Sequence, residues 1–596
     1  MRKLTICGFE LSSFRIMRRS GCSPAEQTAA VFLQRVIEQS CGVRLPIVEE
    51  GDHGIWIGFR GSDERIRWDG FRISSDQNSV FLDGNCERGI LYAAYEFAEK
   101  YLGYRMFAPD CERIVSTGEA EVPGGMDLID NPAFQVRRMS YDPYYGQLEF
   151  MSRSRLNADM GALESIPYGG QEFNGIDCHT FWRYCPADRY YEEHPEYYAL
   201  VDGKRIPCVD GAGPGQLCLS NPDVLRIVTE GVREALRKAP GTKLLDLSQL
   251  DNENYCRCPK CKAVDEKEGS PSGSVIRFVN AVAEAIEPEF PDVMIQTFAY
   301  LYSRKPPKHA VPRKNVLLRY CTMSACMRHG IDDESCPTNG AEIGPDLKQW
   351  RTCSASFSIW DYPNNYYCFI APFPLLESIW RNLRFFADIG TIHVYEEANE
   401  GGGAGGAYPE LKAYLLTKLL WNPYRSEEEY RGLITEFLET FYGPGWERFY
   451  QYLRLEHETT AHAEMTCMTE VDIAFLYYSC DPPIPGIRRF LHDNYEAGPF
   501  QPVLPNNPLK PLVDRIEEAE ALMDEAYAMA ETEEQRTRLR RSRLSLEYLD
   551  LFCRPRDRAS VKGEELKTYM NRIRAFREQK RLFGMHYNWN TRNNGN

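Results

Sequence analysis

The stretch Lys243–Cys261, KLLDLSQLDNENYCRCPKC, passes from an apolar run to a dense polar one within a few residues. Leu244, Leu245, Leu247 and Leu250 follow one another with few breaks, as in a parallel strand buried on both faces, and Asp251, Asn252 and Glu253 come at once after them. This predicts a strand ending near Leu250 that delivers Asp251 to the C-terminal edge of a barrel of parallel strands, where such barrels carry their chemistry. For an isolated motif the blander reading is favoured, in which Asp251 and Asn252 only shape a turn. The surrounding sequence shifts that balance.

Between Gln135 and Trp421 the pattern repeats as strands with helical spacers. The candidate strands are Gln135–Tyr141, Arg155–Ala158, Ile176–Phe181, Lys243–Leu250, Val293–Tyr300, Val316–Tyr320, Ala355–Trp360 and Thr391–Tyr395. Asp223–Arg237, Ser274–Ile286 and Leu375–Asp388 have helical periodicity. Eight strands with intervening helices predict an α/β fold, a (β/α)8 TIM barrel. The barrel is flanked by two further regions. Residues 1–130 read as a non-catalytic α/β domain, with a capping box at Ser23-Pro24-Ala25-Glu26 and a second helix over Glu87–Tyr101. Residues 131–423 hold the barrel, and residues 424–596 read as a helical domain with a disordered tail near Asn590–Asn596.

Composition narrows the function. With 596 residues and 43% hydrophobic content the chain is long enough for several packed cores. The net charge of -16 argues against nucleic acid, whose phosphates demand a concentrated basic surface. No run approaches the roughly 18 apolar residues needed to span a membrane. The N-terminus, MRKLTICGFELSSFRIMRR, is a poor signal peptide, so its 20 cysteines are expected as reduced thiols in a cytoplasmic protein.

Several motifs carry a resemblance. RGILYAAYEFAEKYLGYRMFAP, Arg88–Pro109, resembles the α/β domain that precedes the barrel in family 67 α-glucuronidases and family 20 β-hexosaminidases. HPEYYALVDGKR (His194–Arg205), QLCLSNPDV (Gln216–Val224), SQLDNENYCRCPKC (Ser248–Cys261), WDYPNNY (Trp360–Tyr366) and LKAYLLTKLLWNP (Leu411–Pro423) together resemble the domain-of-unknown-function family 4838. Its characterised members form glycoside hydrolase family 163, endo-acting β-N-acetylglucosaminidases. The resemblance implies a glycoside hydrolase with α/β, barrel and helical domains in that order.

Glycoside cleavage generally needs two carboxyl groups, one to protonate the leaving oxygen and one acting as nucleophile or base. A 2-acetamido group on the substrate can replace the nucleophile, leaving the second carboxylate to orient it. The carboxylates expected at the barrel mouth are Asp251, Asp361, Glu396 and Glu397. The favoured pairing is Asp251 with Glu396 or Glu397, and Asp361 is the reserve. The resemblance to family 20 would set an Asp-Glu pair just after strand four, whereas Asn252 follows Asp251 here. Substrate-binding candidates are His179, Trp182, Asn252, Tyr300, Trp360, Tyr362 and Tyr366, with Arg205 and Arg319 available to hold a uronate carboxylate. Gly401–Gly406 reads as a mobile lid, since it lacks the Lys-Ser/Thr ending of a phosphate loop.

Cys256, Cys258 and Cys261 are spaced as C-x-C-x-x-C, which suits three thiolates on a structural zinc, completed by Cys321, Cys326 or His179. The alternative is a set of reduced thiols in a tight loop. No cofactor is expected for catalysis. The expected partner is an oligosaccharide, with neither nucleic acid nor membrane, and a homo-oligomer is left open. The expected activity is hydrolysis of a β-linked N-acetylhexosaminide, retaining and substrate-assisted. The alternatives are a uronide hydrolase of α-glucuronidase type and a non-catalytic carbohydrate-binding barrel.

Overall fold

The computed structural model describes residues 1–141, 144, 146–161, 163–172, 178–399, 406–471, 506–554 and 563–585. In the N-terminal region a six-stranded sheet is built from β1 (Arg15–Met17), β2 (Ile47–Val48), β3 (Gly54–Ile57), β4 (Phe71–Ser75), β5 (Val80–Gly84) and β6 (Asp127–Asp130), in the order β6-β4-β5-β3-β1-β2. Helices α1 (Pro24–Cys41) and α2 (Glu87–Tyr101) pack on each other and, through α2, on β5. The start of α1 is set by its capping box: Glu26 N–H donates to Ser23 Oγ at 3.2 Å, and Ser23 N–H donates to Glu26 Oε2 at 2.7 Å. Such a cap contributes about 1 kcal/mol. Gly42 ends the helix in the left-handed region at φ 71°.

The second sheet is parallel throughout and curls into a half-barrel. It comprises β7 (Val136–Met139), β8 (Leu244–Asp246), β9 (Met294–Ala299), β10 (Val316–Cys321), β11 (Ser356–Asp361) and β12 (His393–Glu396), ordered β7-β12-β11-β10-β9-β8. Six of the expected strands are therefore present. Arg155–Ala158 departs from expectation and forms no strand of this sheet. It lies along the free edge of β7, where Asn157 N–H donates to Arg137 O at 3.2 Å and Arg137 N–H donates to Asn157 Oδ1 at 2.9 Å. One amide side chain thus takes the place of a ladder partner. The expected strand Ile176–Phe181 falls partly on residues 173–177, outside the described residues, and Phe181 itself opens a short helix, Phe181–Tyr184. Phe181 N–H donates to Ser248 O at 3.1 Å, so this segment lines the other free edge. Strand four is shorter than expected, ending at Asp246 because Ser248 and Gln249 bond across to 179–181 and to Tyr300 and Ser303 rather than continuing the ladder.

The crossover helices include α3 (Pro222–Lys238), α4 (Pro259–Glu268), α5 (Ser272–Ile286), α6 (Gly344–Cys353), α7 (Leu376–Asp388) and α8 (Pro409–Trp421). Helices α9 (Glu427–Tyr442), α10 (Trp446–Thr459), α11 (Ile516–Met529), α12 (Glu533–Tyr548) and α13 (Gly563–Leu582) form the C-terminal region. There α10 packs on α11, and α12 packs on α9, α11 and α13. The sequence spaces Val513, Ile516, Ala519, Met523 and Ala526 as one apolar stripe and Leu566, Tyr569, Met570, Ile573 and Phe576 as another. The first is buried on and just before α11, and on α13 Tyr569, Ile573 and Phe576 are buried while Leu566 and Met570 are half-buried. The expected disordered tail and residues 401–405 of the expected lid lie outside the described residues. Among the described residues no helix is long and apolar enough to cross a membrane.

A buried polar node joins the N-terminal sheet to the barrel. Asp69, fully buried, accepts from Arg137 Nη2 on β7 at 2.7 Å, from Arg88 Nε on α2 at 3.3 Å and from Asn157 Nδ2 at 2.8 Å. The two guanidiniums hold its carboxyl below the ordinary carboxylate range despite the burial that opposes them. Nearby, Trp421 at the end of α8 donates from Nε1 to Asp130 Oδ2 at 2.9 Å, and its ring stacks on Phe71 at 5.8 Å.

Candidate active site

Strand alternation decides what each carboxylate sees. On β9 to β12, Phe298, Arg319, Ser358 and His393 face the barrel interior, as do the next alternate residues Tyr300, Cys321, Trp360 and Tyr395. The contacts agree: Arg319 lies 5.5 Å from the Trp360 ring, Phe298 meets Trp360 edge-on at 5.8 Å, and Trp360 meets Tyr395 at 4.9 Å. Two residues beyond Tyr395, Glu397 continues on this face, and its N–H extends the ladder to Asp361 O at 2.8 Å. Asp361 and Glu396 are register partners on the opposite face, together with Ile359 and Val394.

The interior floor is polar. Asp246 on β8 accepts from Gln296 Nε2 at 2.9 Å, Ser248 Oγ at 2.6 Å and Thr180 Oγ1 at 2.9 Å. Burial nevertheless pushes its carboxyl up to about 6. Arg319 is 0% exposed and spends Nε on Ser358 Oγ at 3.2 Å. Burial lowers its guanidinium to about 10, and burial with the nearby Arg319 lowers His393 to about 3, so His393 is neutral.

Above this floor the aromatic side chains join into a wall. His179 packs on Phe298 at 5.6 Å and on Tyr300 at 6.2 Å, Trp360 stacks with Tyr362 at 6.3 Å, and Tyr362 meets Tyr366 at 6.2 Å. His179 has φ 57°, and its Nδ1–H donates to Gln249 O at 2.7 Å, which leaves Nε2 as the acceptor. The wall holds two carboxylates. Tyr300 OH donates to Asp251 Oδ1 at 2.8 Å, and Trp360 Nε1–H donates to Glu397 Oε2 at 2.7 Å. Tyr366 OH also donates to Glu397 O at 3.3 Å. Burial raises the phenols of Tyr300, Tyr362 and Tyr366, and the neighbouring carboxylates raise them further, Asp251 at Tyr300 and Glu397 at the other two. These phenols therefore remain donors at all ordinary pH.

Asp361 and Glu396 sit behind the wall. Asp361 accepts from Thr322 Oγ1 and is raised to about 6 by burial. Glu396 is 0% exposed, both of its oxygens lack a hydrogen-bond partner among the described residues, and burial followed by Asp361 holds its carboxyl well above the ordinary range. Burial thus favours its protonated form.

The remaining expected residues are placed differently. Asn252 is occupied by the upstream segment around Gly213, donating from Nδ2 to Gly213 O at 2.5 Å. Trp182 packs on a separate apolar cluster around α3 and α5. Arg205 donates to Tyr198 O at 2.6 Å and lies 3.8 Å from Cys256 Sγ, so it belongs to the cysteine loop. Of the expected fourth thiol or imidazole partners, His179 belongs to the aromatic wall, Cys326 lies 3.4 Å from His329 Nδ1, and Cys321 ends β10. The residue that instead joins Cys256, Cys258 and Cys261 is Cys218. Its place in QLCLSNPDV, far upstream, gave no spacing signal. Phe298, which links His179 to Trp360, was also missed; its alternation with Tyr300 on one strand was the available clue.

The chain gives no match among curated proteins. Among solved structures it is similar to a GH115 4-O-methyl-α-glucuronidase with specificity for decorated arabinogalactans, with 12% identity and a TM-score of 0.55 over 97% of this chain and 78% of that one. It also aligns with a GH138 enzyme targeting pectin rhamnogalacturonan II, at 10% identity and a TM-score of 0.49 over 96% and 92% of the two chains. A Streptomyces plicatus N-acetyl-β-hexosaminidase aligns at 14% identity and a TM-score of 0.37 over 72% and 91%. The first of these likenesses establishes a shared fold. A family model described as a domain of unknown function, DUF4838, matches residues 106–451, more than half of the sequence, and the chain belongs to that family.

Proposed function

We propose that this protein is a glycoside hydrolase cleaving a β-linked N-acetylhexosaminide in N-glycan-like oligosaccharides, with Asp251 and Glu397 as its carboxylate pair. The observation that carries this reading is that Tyr300 and Trp360, neighbours in one aromatic wall, each fix one of these carboxylates on the interior side of the strand ends. A sugar ring stacked on such a wall would be within reach of both groups. Glu397 is partly buried among aromatic rings, with one carboxyl oxygen on the Trp360 N–H, and is assigned as general acid. Asp251 is exposed, accepts from Tyr300 OH, and is assigned to orient and polarise the 2-acetamido group, which attacks the anomeric carbon as the glycosidic bond breaks. Water then opens the cyclic intermediate with retention, Glu397 acting as base.

The resemblance to family 163 supports the N-acetylhexosaminide. Of the cations that could hold a uronate carboxylate, Arg319 is sealed beneath Trp360 and Arg205 is engaged at the cysteine loop. The test is turnover of aryl N-acetylglucosaminides, aryl uronides and N-glycan oligosaccharides by the parent and by Asp251→Asn and Glu397→Gln. Loss of N-acetylglucosaminide turnover in both variants supports the proposal. Turnover confined to uronides, or oligosaccharide binding without turnover in the parent, overturns it.

A further inference from the structure

Cys218, Cys256, Cys258 and Cys261 are all buried, all free thiols, and their sulfurs lie within 4.8 Å of one another. Cys218 Sγ is 3.8 Å from Cys258 Sγ and 4.0 Å from Cys261 Sγ. Four sulfurs bound tetrahedrally at about 2.3 Å from a zinc ion lie about 3.8 Å from each other, close to the two distances from Cys218 and within the bound on the rest. These distances are well beyond a disulfide bond, which is about 2.05 Å. From this geometry we infer that the four cysteines form a structural zinc site.

The surroundings suit the bound form. Zinc with four thiolates carries two net negative charges, which need donors when buried. Leu200 N–H points at Cys256 Sγ at 3.4 Å, Arg205 Nη1 lies 3.8 Å from the same sulfur, and Ser220 Oγ lies 3.6 Å from Cys258 and 3.1 Å from Cys261. Cys258 is the N-cap of the ten-residue helix α4, whose positive end adds to this field. Binding converts four thiols to thiolates and releases their protons to solvent.

The packing needs such a staple. The hairpin Ala199–Val201 and Lys204–Ile206 covers a small cluster of its own, whose fully buried members are Ala199, Val201 and the four cysteines. Two small apolar side chains bury too little surface to order the segments around them, and small modules of this kind are usually closed by metal or disulfides. Three stretches distant in sequence meet here: the hairpin, the segment of Cys218, and the loop that runs from Asp251 into α4. That loop leans on the second stretch through Gln216 Nε2 to Leu250 O at 2.9 Å and Asp251 N to Gly211 O at 3.1 Å. The inference stands whether or not the protein is a glycosidase.

The test is metal analysis of the full chain purified without chelators. About one zinc per chain is expected, with the four thiols protected from a thiol reagent under native conditions. Cys218→Ser should hold at most about a third of that zinc and expose the remaining three thiols, while Cys22→Ser, outside the cluster, should retain it. If Cys218→Ser proves insoluble, the parent before and after dialysis against a zinc chelator decides, through thiol reactivity and thermal midpoint. Metal-free parent protein whose midpoint is unmoved by added zinc would overturn the inference. Stoichiometric iron, or a disulfide within the cluster, would overturn it equally.

Discussion

Glu396 and Glu397 end the same strand, yet the pleat sends them into different media. Glu397 joins the aromatic interior, partly open to solvent, with a Trp360 N–H at 2.7 Å. Glu396 turns to the other face, sealed beside Asp361, with no hydrogen-bond partner for either oxygen among the described residues. The first accepts a hydrogen bond from the indole and is partly open to solvent, so its carboxyl can exchange a proton with something outside. The second has burial alone, which keeps the proton in place. Adjacent identical residues at a strand end are therefore not interchangeable candidates, because a one-residue shift moves a side chain to the other face.

The largest expected effect separates these two acids by activity. Glu397→Gln and Asp251→Asn should each lower turnover by about 100-fold or more with an unchanged thermal midpoint, as loss of an acid or orienting carboxylate does. A normal Glu397→Gln beside a dead Glu396→Gln would reverse the comparison.

The next concerns pH and the sealed face. Asp361 is raised by burial to about 6, so the folded chain keeps a proton that the unfolded chain has released. This group therefore lowers stability as pH climbs from about 4 to about 6, by about 3 kcal/mol in all. Denaturant unfolding of Asp361→Asn across that window should show stability rising relative to the parent by that order. Parallel curves would mean that Asp361 is ionised in the fold.

A smaller effect probes the donor. Trp360→Phe keeps a ring in the wall but removes the Nε1–H bond to Glu397, and about a tenfold loss of turnover is expected, on the scale of one hydrogen bond to a charged group. Loss no greater than about twofold would show that the indole only packs.

The smallest is a near-silent change. Glu396→Gln replaces an acid that burial holds toward its protonated form by a neutral amide of the same shape, so turnover within about threefold and stability within about 1 kcal/mol of the parent are expected. A large fall in the unfolding midpoint would show that the carboxyl is needed where it sits.

Much of this was legible in the sequence because it rests on local periodicity. The apolar runs at β9 to β12, the cap at Ser23 and the stripes on α11 and α13 follow from spacing alone. The edges of the parallel sheet were harder. At Arg155–Ala158 the side chain of Asn157 replaces a strand's backbone, and nothing in a short mixed segment announces that substitution. The choice between Glu396 and Glu397 depended on register, which a pair of identical residues cannot reveal. Cys218 escaped for a different reason: metal-ligand spacing is readable within one loop, whereas its partners arrive from 38 residues or more along the chain.

The node at Asp69 bears on how such a chain can be divided. A polypeptide beginning at residue 131 would retain Arg137, 0% exposed, without the carboxylate that neutralises it, and stranding one member of a buried ion pair costs about 3–5 kcal/mol. Shuffling the barrel onto a foreign leading segment would incur the same penalty unless the newcomer offered an acid at the matching spot. The two regions are in this respect a single heritable unit, bound by electrostatic necessity rather than by the loop that joins them.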